Sequence, residues 1–387
     1  MAAKRALPYD CIALVLQGGG ALGAYQGGVI EGLAEARIEP DWVAGVSIGA
    51  LNAALWAGNP PERRLERLRE FWDTICHPAF AQPSARWLQT VVQQLGGAAR
   101  NALNTVEAGR AVLEGQRGFF VPRVPPPWLA VAGDVDTLSW YDVAPLKATL
   151  ERLVDFDRLN HAGTRVTVSA VNVASGNFEL FDNQSGRWAG RLRAEHFMAS
   201  GALPPGFPAI EIEGEHFWDG GIVSNTPLAA VLGEVPGRTV LAFQVDLWSA
   251  RGPLPKNLFD VEEWQKDIRF SSRTRAVTDA LARELHLRRL LREVLDQVPA
   301  AVRARSSWCR SAEAEAAAGH INVVHLIYTE KEWDGHHKDY EFSDLTMREH
   351  WASGLADIRR SLAQPGWLAV PEGAATMVTH DVHRARR

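Results

Sequence analysis

Two glycine-rich turns, each placed directly after an apolar run, most constrain what this chain can fold into. The first, Gly18-Gly19-Gly20-Ala21-Leu22-Gly23, follows residues 12–16, and the second, Gly45-Val46-Ser47-Ile48-Gly49, closes residues 42–46. A short apolar run ending in glycines reads as a strand buried on both faces. From Ala21 onward the apolar positions Ala24, Val29, Ile30 and Leu33 recur at helical spacing. Residues 48–57 are small and apolar on nearly every side, as in a helix buried against a sheet. Two successive strand–turn–helix units predict an α/β fold.

Further along, residues 61–71 form an amphipathic helical pattern, with Leu65, Leu68 and Phe71 on one face. Residues 76–130 are irregular, rich in Gly and Pro around Phe119, Phe120 and Trp128, and read as a cap or lid over an apolar site or as a surface excursion. A helix over 143–154 precedes a hairpin of 166–173 with 178–181. A second hairpin, 210–212 with 216–218, delivers Asp219-Gly220-Gly221, and a strong strand follows at 239–247. Beyond residue 250 the pattern turns to long helices, with a late strand at 321–328 and a late helix at 346–362. The helical stretch 269–310 is basic, and Val277, Leu281, Leu287, Leu291, Val294 and Val298 form its apolar face. It reads as a charged solvent face on a core-packed helix or as a membrane-surface helix.

Composition excludes several classes. A net charge of −5 gives no reason to expect nucleic acid, and no stretch reaches the roughly 18 consecutive apolar residues of a membrane helix. Lys4 and Arg5 precede an apolar run too short and too quickly interrupted for a secretory signal. Three scattered cysteines argue against a disulfide framework or a clustered zinc site, so a cytoplasmic location is expected. The 14 tryptophans are spread along the chain and read as packing residues.

The second turn matches the nucleophile elbow. A serine on a sharp strand-to-helix turn projects its hydroxyl from the sheet, Gly45 and Gly49 let the backbone bend and pack, and the following helix points its N-terminus at a developing anion. Such a serine needs a base and an oxyanion site. The N–H groups around Gly19, Gly20 and Ala21 can converge on an oxygen without interference from side chains. The first turn also satisfies a dinucleotide pattern through Gly18, Gly20 and Gly23. However, the acidic residue of such a site should stand at the end of the second strand, and Asp41 precedes that strand. No Gly-Lys-Ser/Thr of a phosphate loop is present. Histidine remains an alternative base, since His320, His325, His336, His337 and His350 all lie downstream. His336-His337 beside Asp334 and Asp339 is a weak metal pattern, and no metal or cofactor is expected.

Gly18-Gly19-Gly20-Ala21-Leu22-Gly23, the serine elbow, the Pro-bearing segment 199–208 and Asp219-Gly220-Gly221 together resemble the patatin-like phospholipase family of serine acyl hydrolases. The motif-bearing region runs from residue 12 to 227. The resemblance implies a three-layer α/β/α fold, a catalytic domain over 8–250 and a helix-rich C-terminal extension over 251–387. It implies a catalytic Ser47–Asp219 dyad, with Gly18, Gly19, Gly20 and Ala21 at the oxyanion and substrate site and Gly45, Gly49, Gly220 and Gly221 supporting the motifs. The substrate would be a lipid or other acyl ester, with peripheral membrane contact. A non-catalytic lipid-binding module on the same scaffold is the alternative. One position departs from the family: Leu22 stands where Arg or Lys is common.

Overall fold

The computed structural model describes residues 6–76, 97–129, 133–234, 237–252, 254–272, 274–316, 319–331, 333–371 and 377–383. The part of the expected cap at 77–96 and residue 130, together with the side chain of Val277, lie outside the described residues.

The strands are β1 (Cys11–Leu16), β2 (Trp42–Gly45), β3 (Val121–Pro122), β4 (Tyr141–Asp142), β5 (Arg165–Asn172), β6 (Phe178–Asp182), β7 (Ile210–Ile212), β8 (Glu215–Asp219), β9 (Val240–Asp246), β10 (Ile321–Ile327) and β11 (Met377–Asp381). β3 and β4 form a small antiparallel pair, and the other nine make one sheet in the order β11-β10-β9-β1-β2-β5-β8-β7, with β6 paired to β5. From β11 to β5 all neighbours run parallel, whereas β6, β7 and β8 add antiparallel pairings. The late strand at 321–327 and β11, which the sequence pattern did not reveal, therefore belong to the same sheet as β1.

β1 is buried along its whole length, and its alternation divides the core. Ile12, Leu14 and Leu16 face one layer with Leu241, Phe243 and Val245 of β9. Cys11, Ala13 and Val15 face the other with Val240 and Ala242. The first layer holds α1 (Ala24–Glu35), α2 (Ile48–Ala57), α3 (Arg64–Cys76) and the helix Asp344–Leu362. The second is covered by the helix Leu228–Gly233 and by Leu281 and Leu285 of the basic helix Thr274–Asp296, whose inner side is thus packed on the core. Helix α4 (Gly97–Glu114) follows α3 in the described chain. Among the described residues, six tryptophans, at 42, 56, 72, 188, 248 and 351, are buried, while Trp128, Trp140 and Trp308 are exposed.

The register around β5 brings the two halves of the site together. Val168 pairs with Gly45 on one edge and Phe181 on the other, and Val171 pairs with Trp218 on one edge and Phe178 on the other. β2 and β8 therefore lie end to end along the same edge of β5. β2 finishes at Gly45 opposite Val168, and β8, arriving from the other direction, finishes at Asp219 opposite Ala170. The residues leaving these two ends, Val46-Ser47 and Asp219 itself, must meet in the gap.

Candidate active site

Ser47 occupies the turn between β2 and α2 at φ 55° and ψ −124°, a region L-residues rarely adopt, at a cost of about 1–3 kcal/mol. Its backbone N–H donates to the carbonyl of Ser200 at 3.1 Å and lies as close to the Ser200 hydroxyl, and its carbonyl accepts from Ala50 N–H. The bend requires close backbone approach: a Cβ on Gly49 would lie 2.8 Å from the carbonyl carbon of Leu16, and one on Gly45 would strike the Gly49 backbone. The serine is thus held at the N-terminus of α2, whose dipole favours negative charge.

Asp219 is buried and lines the same cavity as Ser47, which stands close enough to lower its pKa. Gly221 N–H donates to its Oδ1 at 2.7 Å from the short turn Gly220–Ile222, and its own N–H donates to Ala202 O at 3.0 Å. Burial raises the carboxyl pKa, the Gly221 hydrogen bond and the neighbouring Ser47 oppose it, and the balance leaves the group pushed up to about 7. The Pro-bearing turn named from the sequence touches both partners, through Ser200 to Ser47 and through Ala202 to Asp219.

The first glycine turn faces the same point. Gly18 N–H donates to Asn225 O at 3.3 Å and Ala21 N–H to Asp339 O at 2.8 Å, so these two groups are engaged in holding the loop. Among the described residues nothing accepts from Gly19 or Gly20 N–H, which leaves these two of the four candidates for an incoming oxygen. Gly20 has φ +55°, and a Cβ there would run into Asp339 O. The dinucleotide reading fails on the same geometry. Asp41 Oδ2 accepts from Ile12 N–H at 2.9 Å, near the start of β1 and at the opposite end of the sheet from the glycines.

Sequence reasoning missed the residues that hold this loop. Gly18 O accepts from Asn225 Nδ2 at 3.0 Å and from Trp248 Nε1 at 2.8 Å. Gln17 Oε1 accepts from Trp248 N–H at 3.0 Å, its Nε2 donates to Thr226 Oγ1 at 2.9 Å, and its carbonyl accepts from Gln26 Nε2 at 2.6 Å. Asn52 Nδ2 donates to Gln26 Oε1 at 2.8 Å, and Trp72 Nε1 donates to Asn52 Oδ1 at 3.1 Å. Gln17, Gln26, Asn52 and Trp72 are all fully buried, so their satisfied bonds rigidify the turn from behind. Asp339, which receives Ala21 N–H, is itself clamped by an ion pair with Lys266. The only available signal was polar residues inside otherwise apolar helical and strand patterns.

A cavity of about 360 Å³ opens over Ser47 and Asp219. Its walls are mostly apolar and include Leu51, Phe119, Phe120, Tyr141, Phe207 and Phe342. Phe119 and Phe120 come from the described part of the expected cap, and Phe342 from the stretch beyond residue 250. No histidine is among the described lining residues. His325 instead hydrogen-bonds Asp246 at 2.7 Å, and His350 stacks edge-on against Tyr328. His336 and His337 pack edge to face with ring centroids 5.1 Å apart. The acidic group Glu263, Asp267 and Glu330 lies outside this cavity. It is counter-charged by the buried Lys338, whose Nζ stands 2.9 Å from Asp267, 3.0 Å from Glu330 and 3.3 Å from Glu263. Leu22, the departure from the family pattern, is fully buried in the main core.

A mostly parallel sheet with a serine elbow at the end of a central strand and a buried carboxylate beside it defines the α/β class with a nucleophile elbow. The chain belongs to the patatin-like phospholipase family, whose family model matches residues 14–232. A second family model, described as Patatin phospholipase, matches residues 268–374. The chain is similar to a putative patatin-like phospholipase domain-containing protein of Caenorhabditis elegans, at 40% identity over 68 residues, 18% of this chain and 6% of that protein. It is also similar to the neuropathy target esterase sws of Drosophila melanogaster, at 54% identity over 52 residues, 13% of this chain and 4% of that protein. These matches thus span less than a tenth of either relative. Among solved structures, VipD from Legionella pneumophila aligns with a TM-score of 0.35 and 15% identity, covering 91% of this chain and 69% of that one. No helix among the described residues is long and apolar enough to cross a membrane.

Proposed function

We propose that the chain is a lipid acyl hydrolase that cleaves a carboxylic ester through a Ser47 acyl-enzyme, with Asp219 as the base. The observation that carries this reading is the buried Asp219 carboxyl, with its raised pKa, beside the strained elbow serine in one apolar cavity. Desolvation makes this carboxylate a stronger base than a solvated aspartate, so it can take the serine proton near neutral pH. Ser47 Oγ attacks the ester carbonyl as its proton passes to Asp219. The oxygen that becomes negative is received by Gly19 and Gly20 N–H at the start of a turn held from behind by Gln17, Asn225 and Trp248. When the carbon–oxygen bond to the leaving alcohol breaks, Asp219 returns the proton to that alcohol. A water then attacks the acyl-enzyme and gives its proton to Asp219, which passes it to Ser47 Oγ as the carbon–oxygen bond to the serine breaks and the acid departs.

The apolar walls favour an aliphatic acyl group over a polar substrate. Lipid substrates also agree with the family and with the names of the similar proteins. The test is hydrolysis of a short-chain nitrophenyl ester by the parent and by Ser47→Ala. Loss of at least ~10³-fold in kcat/KM is expected, in line with the cost of removing a serine nucleophile. Turnover retained in Ser47→Ala overturns the reading.

A further inference from the structure

The mouth of the cavity is edged by an unusual density of exposed apolar side chains. Leu113 is 79% exposed, Val124 87%, Trp128 70%, Leu129 67%, and Leu138 and Trp140 about half. They rise from three separate pieces of chain: the last turn of α4, the Pro-rich turn after β3, and the turn leading into β4. The pieces are stitched to one another and to the cavity. The Trp128 and Trp140 rings lie 6.0 Å apart, and Trp140 accepts from Arg123 N–H at 3.0 Å. Trp140 N–H donates to Pro205 O at 3.0 Å, and Tyr141 Oη donates to Val112 O at 2.8 Å. Pro205, Tyr141 and Val112 all line the cavity, so the patch is continuous with the wall that leads down to Ser47.

Soluble proteins seldom expose apolar side chains of this size in one patch unless it binds something. The geometry points to the rim Leu113, Val124, Trp128, Leu129, Leu138 and Trp140 as the surface by which the protein docks on a zwitterionic lipid–water boundary. This assignment rests on the acyl-hydrolase reading, because a rim seated in lipid opens the cavity directly onto the acyl chains it would take. Side chains standing on separate turns suit a fluid layer that closes around each of them better than a rigid protein face. Indole rings add a polar N–H to an apolar body, the combination suited to the boundary. Charge selects the kind of lipid: between Val106 and Asp142 there are three arginines against five carboxylates, so attraction to an anionic surface does not drive the contact.

The test uses the full chain in a Ser47→Ala background, so that binding is read without turnover, with phosphatidylcholine vesicles as the probe. Trp128→Ser/Leu129→Ser is expected to weaken vesicle binding by at least ~10-fold, the effect of removing two large apolar groups that the lipid would bury. Trp308→Ser, which removes a tryptophan 84% exposed on a distant helix, should leave binding unchanged. Adding anionic lipid should not strengthen binding. With Ser47 restored, the double variant should hydrolyse the soluble nitrophenyl ester within twofold of the parent, which shows that it is folded. Absence of vesicle binding by the parent chain, equal binding by the double variant, or an equal loss in Trp308→Ser overturns the proposal. So does loss of a dimer in the double variant without loss of vesicle binding, which assigns the patch to a second copy of the chain. If the parent binds vesicles through this rim but turns over no ester, the docking surface stands and the hydrolase reading falls.

Discussion

Replacing Asp219 with Asn separates what the carboxylate does for chemistry from what it costs the fold. Burial is the main cause of its shift, from 3.8 to about 7, against the hydrogen bond from Gly221 and the nearby Ser47. At about 1.36 kcal/mol per tenfold change in proton affinity, this rise amounts to ~4 kcal/mol between the two protonation states, an upper limit for the effect on stability. The sign follows from proton counting. Between pH 4 and 7 the folded chain keeps a proton on Asp219 that the unfolded chain has lost, so stability falls as pH rises through this window and stays reduced above it. Asparagine keeps the size and the acceptor for Gly221 N–H but has no proton to lose. The assay is urea unfolding of parent and Asp219→Asn at pH 5 and pH 8, comparing the two differences so that other titrating groups cancel. The parent should lose up to ~3 kcal/mol more than the variant between these pH values, since part of the effect already falls below pH 5. Parent kcat/KM should rise with pH to a plateau above about 7, while the variant is inactive throughout. Identical pH dependence of stability in the two proteins refutes the reasoning, because the carboxylate would then be neither desolvated nor perturbed.

Two further substitutions test the first glycine turn. Gly20→Ala places a Cβ at φ +55° against Asp339 O, and should lower stability by ~1–3 kcal/mol with a fall in kcat, read by urea unfolding and ester hydrolysis. Leu22→Arg introduces the family's more common charge type at a fully buried core position; an unpaired buried charge should cost ~3–5 kcal/mol, visible as a lowered urea midpoint. An unchanged midpoint would mean that a counter-charge reaches this position.

The serine elbow and both flanking elements were legible because their signal is local. β1, β2 and α2 each carry a run whose period and burial agree, and Ile48–Ala57 matches the structure at both ends. The two hairpins were equally readable, since a turn sets the register of strands adjacent in sequence. What escaped is whatever depends on long-range parallel pairing. β10 joins β9 across a gap of more than 70 residues, and β11 is a half-buried edge strand with no clear alternation. β3 and β4 are two residues each, too short to carry a period. For the same reason the stretch beyond residue 250 gave no hint that Asp339 and Phe342 would stand at the cavity. Asn225 and Gln17 looked like ordinary polar residues, because their partners are backbone groups of remote loops. The meeting of Ser47 with Asp219 was expected from a family pattern, and the register along β5 supplies its physical cause: two strands ending head-on along one edge.

The central claim, that Ser47 is a nucleophile activated by Asp219, is tested most directly by covalent labelling. A fluorophosphonate reports the attacking oxygen because the adduct stays on it, and digestion followed by mass spectrometry locates it. The account predicts a single adduct on Ser47, none in Ser47→Ala, and labelling slowed by at least ~10²-fold in Asp219→Asn, the usual scale of a lost general base. An adduct on another residue, or labelling of Ser47 at an unchanged rate in Asp219→Asn, contradicts it.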